Sequence, residues 1–384
     1  MNTSPLIALC AGEASGDLLG AHLIEAIRAR CPQARFTGIG GPRMQAAGLK
    51  SLFDQETLAV RGYVEVLKNL PAIWRIRKGL IAEMKRQRPD VFVGIDAPDF
   101  NLGVAAALKA AGIPTLHYVS PSVWAWRRER VHKIVQQADE VLCLFPMEPE
   151  LYQQAGGRAR FVGHPLAQTL PLEADRTAAR RELGLPETQP VFALLPGSRV
   201  SEIDYMAPLF LKAAQLVWQQ IPKAQFLLPY ATEATRTRLQ SLLAAEPYCR
   251  LPLQLLPGGT AQACTAADVV LVTSGTATLE VALCKRPMVI SYKISPLTYA
   301  LVKHKIKVPY VGLPNVLLGR AAVPELLQHD AEPEKLAAAL LDWYRSPEKT
   351  AALQQDFTEL HRLLRKDTAA EAAAAVLAAA GATP

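Results

Sequence analysis

Several features that define other classes of protein are missing from this sequence. Its six cysteines form no Cys-x-x-Cys pair and no Cys/His cluster, which argues against a zinc module and a disulfide scaffold. No apolar run reaches the roughly 18 residues that a membrane-spanning helix needs. The first eleven residues lack the basic start and long apolar stretch of an export signal. We therefore expect a cytoplasmic protein with reduced cysteines that serve in packing.

Two kinds of ligand-binding motif are missing as well. No Gly-x-Gly-x-x-Gly fingerprint follows the first predicted strand, which argues against a dinucleotide cofactor. There is no Asp-x-Asp pair to clamp a metal-bound diphosphate and no His/carboxylate spacing typical of a metal site. We therefore expect neither a cofactor nor a metal. The formal net charge of +7 suits a phosphorylated ligand, nucleic acid or an anionic membrane without choosing among them.

What is present is a regular alternation of short, apolar, β-rich runs with longer helical patterns. Strands are predicted at 6–10, 91–95, 115–119, 140–144 and 160–162, and again at 191–195, 225–229, 253–256, 269–272 and 288–292. Helical crossovers between successive strands predict parallel, helix-covered sheets. Because 384 residues exceed what one core comfortably supports, we predict an α/β protein with two domains.

The predicted domains are Rossmann-like, comprise residues 1–165 and 166–384, and face each other across a cleft. The alanine-rich end, 368–380, has strong helix propensity. This helix is expected to pack on either domain, to cross to the N-terminal domain, or to exchange between protomers.

Two short stretches of the second half each follow a predicted strand directly, at residues 196–199 (PGSR) and 273–280 (TSGTATLE). Small residues at such corners let a diphosphate reach free N–H groups at a helix N-terminus. Arg199 adds a cation for phosphate, and Glu280 a carboxylate for ribose. The pattern indicates a nucleotide diphosphate. The alternatives are an ion pair of Arg199 with Glu202 and a first-turn Glu280 that favours the helix dipole.

The loop 11–17 (AGEASGD) joins the first predicted strand to the first predicted helix. One interpretation is that it lies across the cleft from the nucleotide and contacts sugar hydroxyls. The other is a tight turn in which Ser15 caps the helix and Asp17 lies in its first turn.

Residues 94–101 (GIDAPDFN) come at the carboxyl end of a predicted strand, where open α/β sheets place their ligands. Two Rossmann-like sheets that face each other across a cleft are used by many nucleotide-sugar glycosyltransferases. Transfer of a sugar to a hydroxyl needs a base near that hydroxyl, and Asp96 is a better candidate than Asp99. The alternative makes Asp96 a hydrogen-bonding loop residue and Asp99 or Asn101 a helix cap.

Apolar residues recur at helical spacing between 63 and 74, interrupted by Pro71, and basic residues follow up to 88. An apolar face with basic flanks suits an anionic membrane, while the alternative is a helix packed on its own sheet. The candidate membrane-binding residues are Val64, Val66, Leu67, Leu70 and Trp74. Residues 123–127 (VWAWR) form a second interfacial candidate, with packing at the domain cleft as the alternative.

Five separated motifs, at 11–20, 94–101, 116–127, 196–202 and 273–280, resemble those of the lipid-A-disaccharide synthases, and the similarity runs from end to end. The resemblance implies a metal-independent, inverting glycosyltransferase of the GT-B type. It also implies UDP-2,3-diacylglucosamine as donor and 2,3-diacylglucosamine 1-phosphate as acceptor. The products would be a β-1',6-linked disaccharide 1-phosphate and UDP.

The same resemblance implies that Asp96 is the general base and that Asn315 lines the nucleotide pocket. The candidate substrate-binding residues are Glu13, Ser15, Gly16, Asp17, Gly197, Ser198, Arg199, Thr273, Ser274, Gly275, Thr276, Glu280 and Asn315. Acylated substrates imply a peripheral position on the cytoplasmic face of the inner membrane. Nucleic acid is not expected, and a homodimer is left open. The competing functions are a nucleotide-sugar epimerase of the same fold and a membrane-docking protein that only binds a nucleotide.

Overall fold

The computed structural model describes residues 4–58, 63–126, 128–294 and 309–382, with the backbone alone described at 63–69 and 125–126. The chain divides into two compact units. The first consists of the chain up to Gln168 together with the segment from Leu364 onward, and the second is Thr169–Leu363. The C-terminal segment therefore belongs to the first unit.

Within the described residues, the first unit contains a seven-stranded sheet in the order β3-β2-β1-β4-β5-β6-β7. All neighbouring strands are parallel. The strands are β1 (Leu6–Ala11), β2 (Arg35–Ile39), β3 (Leu49–Ser51), β4 (Val91–Ile95), β5 (Thr115–Tyr118), β6 (Glu140–Cys143) and β7 (Arg158–Phe161). The helices are α1 (Ala14–Arg30), α2 (Pro42–Ala46), α3 (Tyr63–Gln87), α4 (Pro98–Lys109), α5 (Val123–Trp126), α6 (Arg130–Gln137), α7 (Glu148–Gln154), α8 (Pro165–Thr169) and, at the C-terminus, α17 (Thr368–Ala379).

Helices cover both faces of this sheet. On one face, alternate residues of β1 and β4 pack with Leu23 and Ile27 of α1 and with Val376 and Leu377 of α17. Small alanines let α17 lie close to α1, and Arg30 donates a hydrogen bond to the Ala370 carbonyl. The opposite face packs against the second half of α3 and against α4. Because both faces of the sheet are buried, its central strands are continuous apolar runs in the sequence.

The second unit repeats the design with a six-stranded parallel sheet, again within the described residues, in the order β10-β9-β8-β11-β12-β13. Its strands are β8 (Val191–Leu195), β9 (Gln225–Tyr230), β10 (Leu253–Pro257), β11 (Val269–Thr273), β12 (Met288–Tyr292) and β13 (Glu325–Leu327). Its helices are α9 (Arg176–Glu182), α10 (Val200–Gln220), α11 (Glu233–Leu243), α12 (Thr260–Ala266), α13 (Thr276–Leu283), α14 (Leu313–Leu318), α15 (Pro333–Tyr344) and α16 (Pro347–Leu364). One face packs against α10 and α15, and the other against α12, α13 and α16.

The order of the strands explains where the motifs meet. In each sheet the chain builds outward in one direction from its first strand, β1 or β8, and then returns to add β4 or β11 on the other side. The loops that leave the carboxyl ends of these two strands run in opposite directions and open a crevice that binds ligands in α/β proteins. The loops 11–17 and 94–101 meet in this way in the first unit, and the corners 196–199 and 273–280 meet in the second.

The structure also adds elements that the sequence pattern does not predict. The edge strands β3 and β13, and β2 beside β3, are short and carry glycine or charged residues, so they lack the apolar signal of the central strands. Five of the six cysteines are buried as expected, Cys249 is exposed, and none of the six forms a disulfide within the described residues. In the described part of the chain, no helix combines the length and apolar character needed to cross a bilayer.

Candidate active site

A cavity of about 580 Å³ lies at the carboxyl edge of the second sheet. Both phosphate-binding motifs predicted from the sequence line it, although they are some 75 residues apart in the chain. Its lining includes Gly197, Ser198, Arg199, Glu202, Tyr230, Gly258, Thr260, Thr273, Ser274, Gly275, Thr276, Glu280 and Tyr292. The structure therefore brings together the candidate residues of this unit, with the exception of Asn315.

The corner between β8 and α10 is organised by Glu202. Its carboxylate accepts hydrogen bonds from the backbone N–H groups of Ser198, at 2.9 Å, and Arg199, at 3.3 Å, and Oε1 lies 3.1 Å from Arg199 Nη1. Gly197 has a φ of +129°, and a Cβ there would lie 2.5 Å from the Glu202 Cβ. Because Glu202 occupies these amides, the corner offers a ligand chiefly the Arg199 guanidinium, whose side chain is 66% exposed.

The ion pair of Arg199 with Glu202, the alternative interpretation of Arg199, is thus present. It does not remove the cation from the cavity, because both residues line it.

The corner between β11 and α13 has a different character. Gly275 precedes the helix with a φ of +152°, a conformation that favours glycine. The first amides of α13, at Thr276 and Ala277, point out of the helix without intrahelical partners and line the cavity. This helix N-terminus carries partial positive charge and suits an oxyanion.

Two polar side chains of this corner have different roles: one supports the loop, and the other is available to a ligand. The Ser274 hydroxyl donates to the Val311 carbonyl at 3.2 Å and so fixes the loop. One turn into α13, Glu280 lines the cavity, and its side-chain carboxylate has no hydrogen-bond partner among the described residues. Burial raises the pKa of Glu280. A half-buried carboxylate with unused acceptor capacity is suited to ligand hydroxyls.

Asn315 does not line this cavity. It is fully buried in α14, where its amide donates to the Val323 carbonyl and to Glu325, and its carbonyl accepts the Val323 N–H, at 2.8 to 2.9 Å. Glu325 in turn accepts the N–H groups of Val311 and Gly312. The structure therefore gives Asn315 a role in joining α14 to β13.

In the first unit, Asp96 lies at the carboxyl end of β4 in an unusual backbone conformation. Asp96 and Ala97 have φ angles of +53° and +42°, which side chains with a Cβ rarely adopt. The Asp96 N–H donates to the Tyr118 carbonyl at 2.8 Å, and the buried Asn101 amide donates to the Asp96 carbonyl at 2.8 Å. These hydrogen bonds therefore fix the backbone that carries the Asp96 carboxylate.

The surroundings of Asp96 favour a proton acceptor with raised basicity. Burial raises its pKa, the nearby negative charge of Glu13 raises it further, and the Ala97 N–H opposes both effects. Glu13 is the residue before α1 and follows β1, so the two carboxylates come from the two strands at the switch point of this sheet. Paired carboxylates of this kind are frequent at catalytic sites.

The neighbouring candidates have structural partners. Asp17 is buried, and its carboxylate accepts the N–H groups of Arg43 and Met44 at 3.1 Å, which caps α2. A Cβ at Gly16 would lie 3.3 Å from the Ala11 Cβ, so glycine lets α1 pack against β1. Ser15 is exposed in the first turn of α1, so it is not the helix cap.

Asp99 and Asn101 are not helix caps either. The residue before α4 is Ala97, which has a left-handed conformation and no capping side chain. Asp99 lies in the first turn and pairs with Arg130 at 2.8 Å.

The candidate membrane-binding residues lie on α3, which continues through Pro71. Leu70 is 45% exposed and Trp74 is 57% exposed, whereas Leu80 and Met84, further along the same helix, are buried in the core. The side chains of Val64, Val66 and Leu67 lie outside the described residues, as does that of Trp126. The second half of α3 thus packs on the sheet, and the segment from Leu70 to Trp74 presents apolar surface.

Some cavity residues were not among the sequence-based candidates. Glu202 was considered only as an ion-pair partner, although its position three residues after Arg199 is the spacing at which a glutamate reaches back to the amides that begin a helix. Tyr230 is the last residue of β9, Gly258 directly follows β10, and Tyr292 is the last residue of β12. Their position at carboxyl ends of strands was the available signal.

Comparisons with known proteins give the family. The family model of the lipid-A-disaccharide synthetases matches residues 7–376. A lipid-A-disaccharide synthase from Neisseria meningitidis serogroup A is 70% identical over 378 residues, which are 98% of each chain. One from Chromobacterium violaceum is 59% identical over 371 residues, covering 97% of this chain and 96% of the relative.

Solved structures agree on the fold. HepE from Anabaena, crystallised with UDP-glucose, has a TM-score of 0.53 at 16% identity and covers 97% of this chain and 99% of its own. MurG from Acinetobacter baumannii has a TM-score of 0.55 at 14% identity, with coverages of 94% and 99%. A UDP-GlcNAc 2-epimerase from Neisseria meningitidis, bound to UDP-GlcNAc, has a TM-score of 0.59 at 10% identity, with coverages of 97% and 98%. The α/β, GT-B type fold is confirmed.

Because a UDP-GlcNAc 2-epimerase is among the proteins that share this fold, the fold alone does not decide between sugar transfer and epimerisation. The sequence relatives do, since they match over nearly the whole length at high identity. This chain belongs to the lipid-A-disaccharide synthase family and is a glycosyltransferase.

Proposed function

We propose that the enzyme transfers the sugar of UDP-2,3-diacylglucosamine to 2,3-diacylglucosamine 1-phosphate, with inversion, to give the β-1',6-linked disaccharide 1-phosphate and UDP. The observation that carries the proposal is the cavity of the second unit, where a cation, a helix N-terminus and an unpaired carboxylate converge. The cation and the helix N-terminus suit the charge of a diphosphate, and the carboxylate suits the hydroxyls of a ribose.

In this proposal the second unit stabilises the leaving group. As the bond between the anomeric carbon and the diphosphate oxygen breaks, negative charge grows on UDP. Arg199 and the amides of Thr276 and Ala277 are donors fixed in place before the reaction, so they stabilise this charge without reorganising. Glu280 accepts hydrogen bonds from the ribose hydroxyls.

The first unit, in the same proposal, activates the acceptor. Asp96 takes the proton of the attacking hydroxyl as its oxygen forms the new bond to the anomeric carbon, on the face opposite the departing UDP. Its raised pKa makes it a stronger base than an exposed aspartate, and the hydrogen bonds to its backbone keep it oriented. Glu13 and Ser15, at the adjoining loop, contact sugar hydroxyls.

The test is release of UDP from the diacylated donor, measured with and without the acylated monosaccharide phosphate, together with mass spectrometry of the product. A transferase releases UDP only with the acceptor present and yields a disaccharide phosphate. Release of an altered UDP-sugar without acceptor would instead identify an epimerase. Absence of any turnover with tight UDP binding would identify a nucleotide-binding protein.

We further propose that the exposed part of α3 attaches the enzyme to the cytoplasmic face of the inner membrane. Leu70 and Trp74 are exposed apolar residues, and Lys78 lies over the Trp74 ring at 4.2 Å, which places a cation beside the apolar surface. Partial burial of such side chains in lipid gives reversible binding.

Vesicle sedimentation tests this attachment. The double variant Leu70→Ser/Trp74→Ser should lose binding to anionic vesicles while it keeps its fold. Leu363→Ser is the matched control, because Leu363 is 52% exposed in the second unit. Equal binding by both variants would exclude this part of α3 as the attachment surface.

A further inference from the structure

Asp268 is crowded by cations at the amino edge of the second sheet. It precedes β11, and both Arg176 and Arg180 of α9 form ion pairs with it, the second at 3.0 Å. Its Oδ2 also accepts the N–H of Val191, the first residue of β8, at 2.8 Å. Arg180 donates further bonds to the carbonyls of Ala266 and Gln189. The single carboxylate is therefore shared by two guanidinium groups and an amide.

A third arginine lies beside this group, where the negative charge of Asp268 attracts it and the positive charges of Arg176 and Arg180 repel it. Arg286, between α13 and β12, is 8% exposed, and its Nε has no hydrogen-bond partner. Among the described residues, no carboxylate forms an ion pair with it. Burying an unpaired guanidinium is strongly unfavourable, so native structures pair such groups with an anion or hydrate them.

A cavity of about 380 Å³ adjoins the Arg286 side chain. Arg176 and Asp268 line one part of it, and Trp343 and Tyr344 line another. One side of α16 completes the wall, through Pro347, Thr350, Ala351 and Gln354. Glu348, in the first turn of that helix, is exposed and does not line the cavity.

We propose that this cavity binds a small oxyanion of the phosphate class, with Arg286 as its main donor and Arg176 as a second cation. The forked donors of a guanidinium match two oxygens of a tetrahedral anion. The site is distinct from the nucleotide-binding cavity, because it lies at the amino ends of β8, β11 and β12 and that cavity lies at their carboxyl ends. It does not depend on the proposed transfer reaction.

The experiment measures thermal unfolding of the full chain with increasing inorganic phosphate, at an ionic strength held constant with potassium chloride. Wild type should show a saturable rise in Tm, and Arg286→Met should show at least a tenfold weaker apparent affinity. Arg181→Met is the control, because Arg181 is an exposed arginine on the same helix as Arg176 and does not line the cavity. Without phosphate, Arg286→Met should unfold at or above the wild-type temperature, since it loses a buried charge that forms no ion pair and that Arg176 and Arg180 repel.

Two further variants keep the result unambiguous. Arg199→Ala must retain the phosphate-dependent rise in Tm, which separates this site from the nucleotide-binding cavity. If Arg286→Met does not fold, Arg176→Gln should still weaken phosphate binding.

Glucose 6-phosphate is the second probe: tighter binding than inorganic phosphate identifies an ester as occupant, and weaker binding identifies the free ion. A rise in Tm of the same size in Arg286→Met and wild type, or no saturable rise in wild type, would overturn the proposal and leave Arg286 hydrated by water.

Discussion

Replacing Arg199 with alanine separates a surface ion pair from a group that stabilises the leaving diphosphate. The pair with Glu202 joins residues three apart at the start of α10, and the arginine side chain is 66% exposed. Pairs of this kind contribute about 0.2–1 kcal/mol to stability. A fixed donor to charge that develops in the transition state contributes about 2.7–4 kcal/mol, or roughly 10²- to 10³-fold in kcat.

We therefore expect Arg199→Ala to keep the free energy of unfolding within about 1 kcal/mol of wild type while kcat falls by about 10²- to 10³-fold. The assay is UDP release at saturating donor and acceptor, with urea denaturation in parallel. Arg250→Ala is the control, because Arg250 is also an exposed arginine paired with a glutamate on its own turn but does not line the cavity. Near wild-type kcat in a folded Arg199→Ala enzyme, or equal losses in both variants, would refute the assignment.

Three other substitutions test the remaining assignments. Asp96→Asn should lower kcat/KM by roughly 10²- to 10⁴-fold and remove the acidic limb of its pH profile, while Asp99→Asn retains most activity; equal losses would argue against Asp96 as the base. Asn315→Ala should lower the free energy of unfolding in urea by roughly 1–3 kcal/mol for each buried group left unpaired, with the donor KM little changed; a stable variant with a raised KM would place Asn315 at the substrate instead. Burial raises the pKa of Glu148 from its ordinary 4.5 to about 8, so the folded protein binds more protons than the unfolded chain between these values and its stability falls as pH rises through them. Glu148→Gln should therefore lose less stability than wild type between pH 5 and pH 8 in denaturant titrations, and identical pH slopes would contradict this.

Central strands and the motifs that follow them could be predicted from the sequence for a simple physical reason. A parallel strand covered on both faces must be apolar throughout, and the corner after it must admit a ligand, so composition changes abruptly there. The runs at 191–195 and 269–272 and the corners after them are therefore readable without a structure. Edge strands such as β3 are buried on fewer sides and leave no such signal.

The partners of individual polar side chains could not be predicted, because they come from distant parts of the chain. Asp17 looks like a ligand-binding residue from its loop, yet its carboxylate caps a helix that begins 25 residues later. The same holds for Asn315, because its side-chain amide forms all its hydrogen bonds with Val323 and Glu325. A sequence shows which side chains can form hydrogen bonds, but their partners are determined by the tertiary structure.

The return of α17 to the first unit has a consequence for how this protein is made. Val376 and Leu377 complete a core begun by β1, so the apolar face of β1 stays uncovered until α17, far along the chain, has been synthesised. The intervening Thr169–Leu363 is one uninterrupted stretch and has no such delay. A nascent chain halted before residue 368 would therefore present a finished second unit beside an unfinished first one, a natural substrate for chaperones.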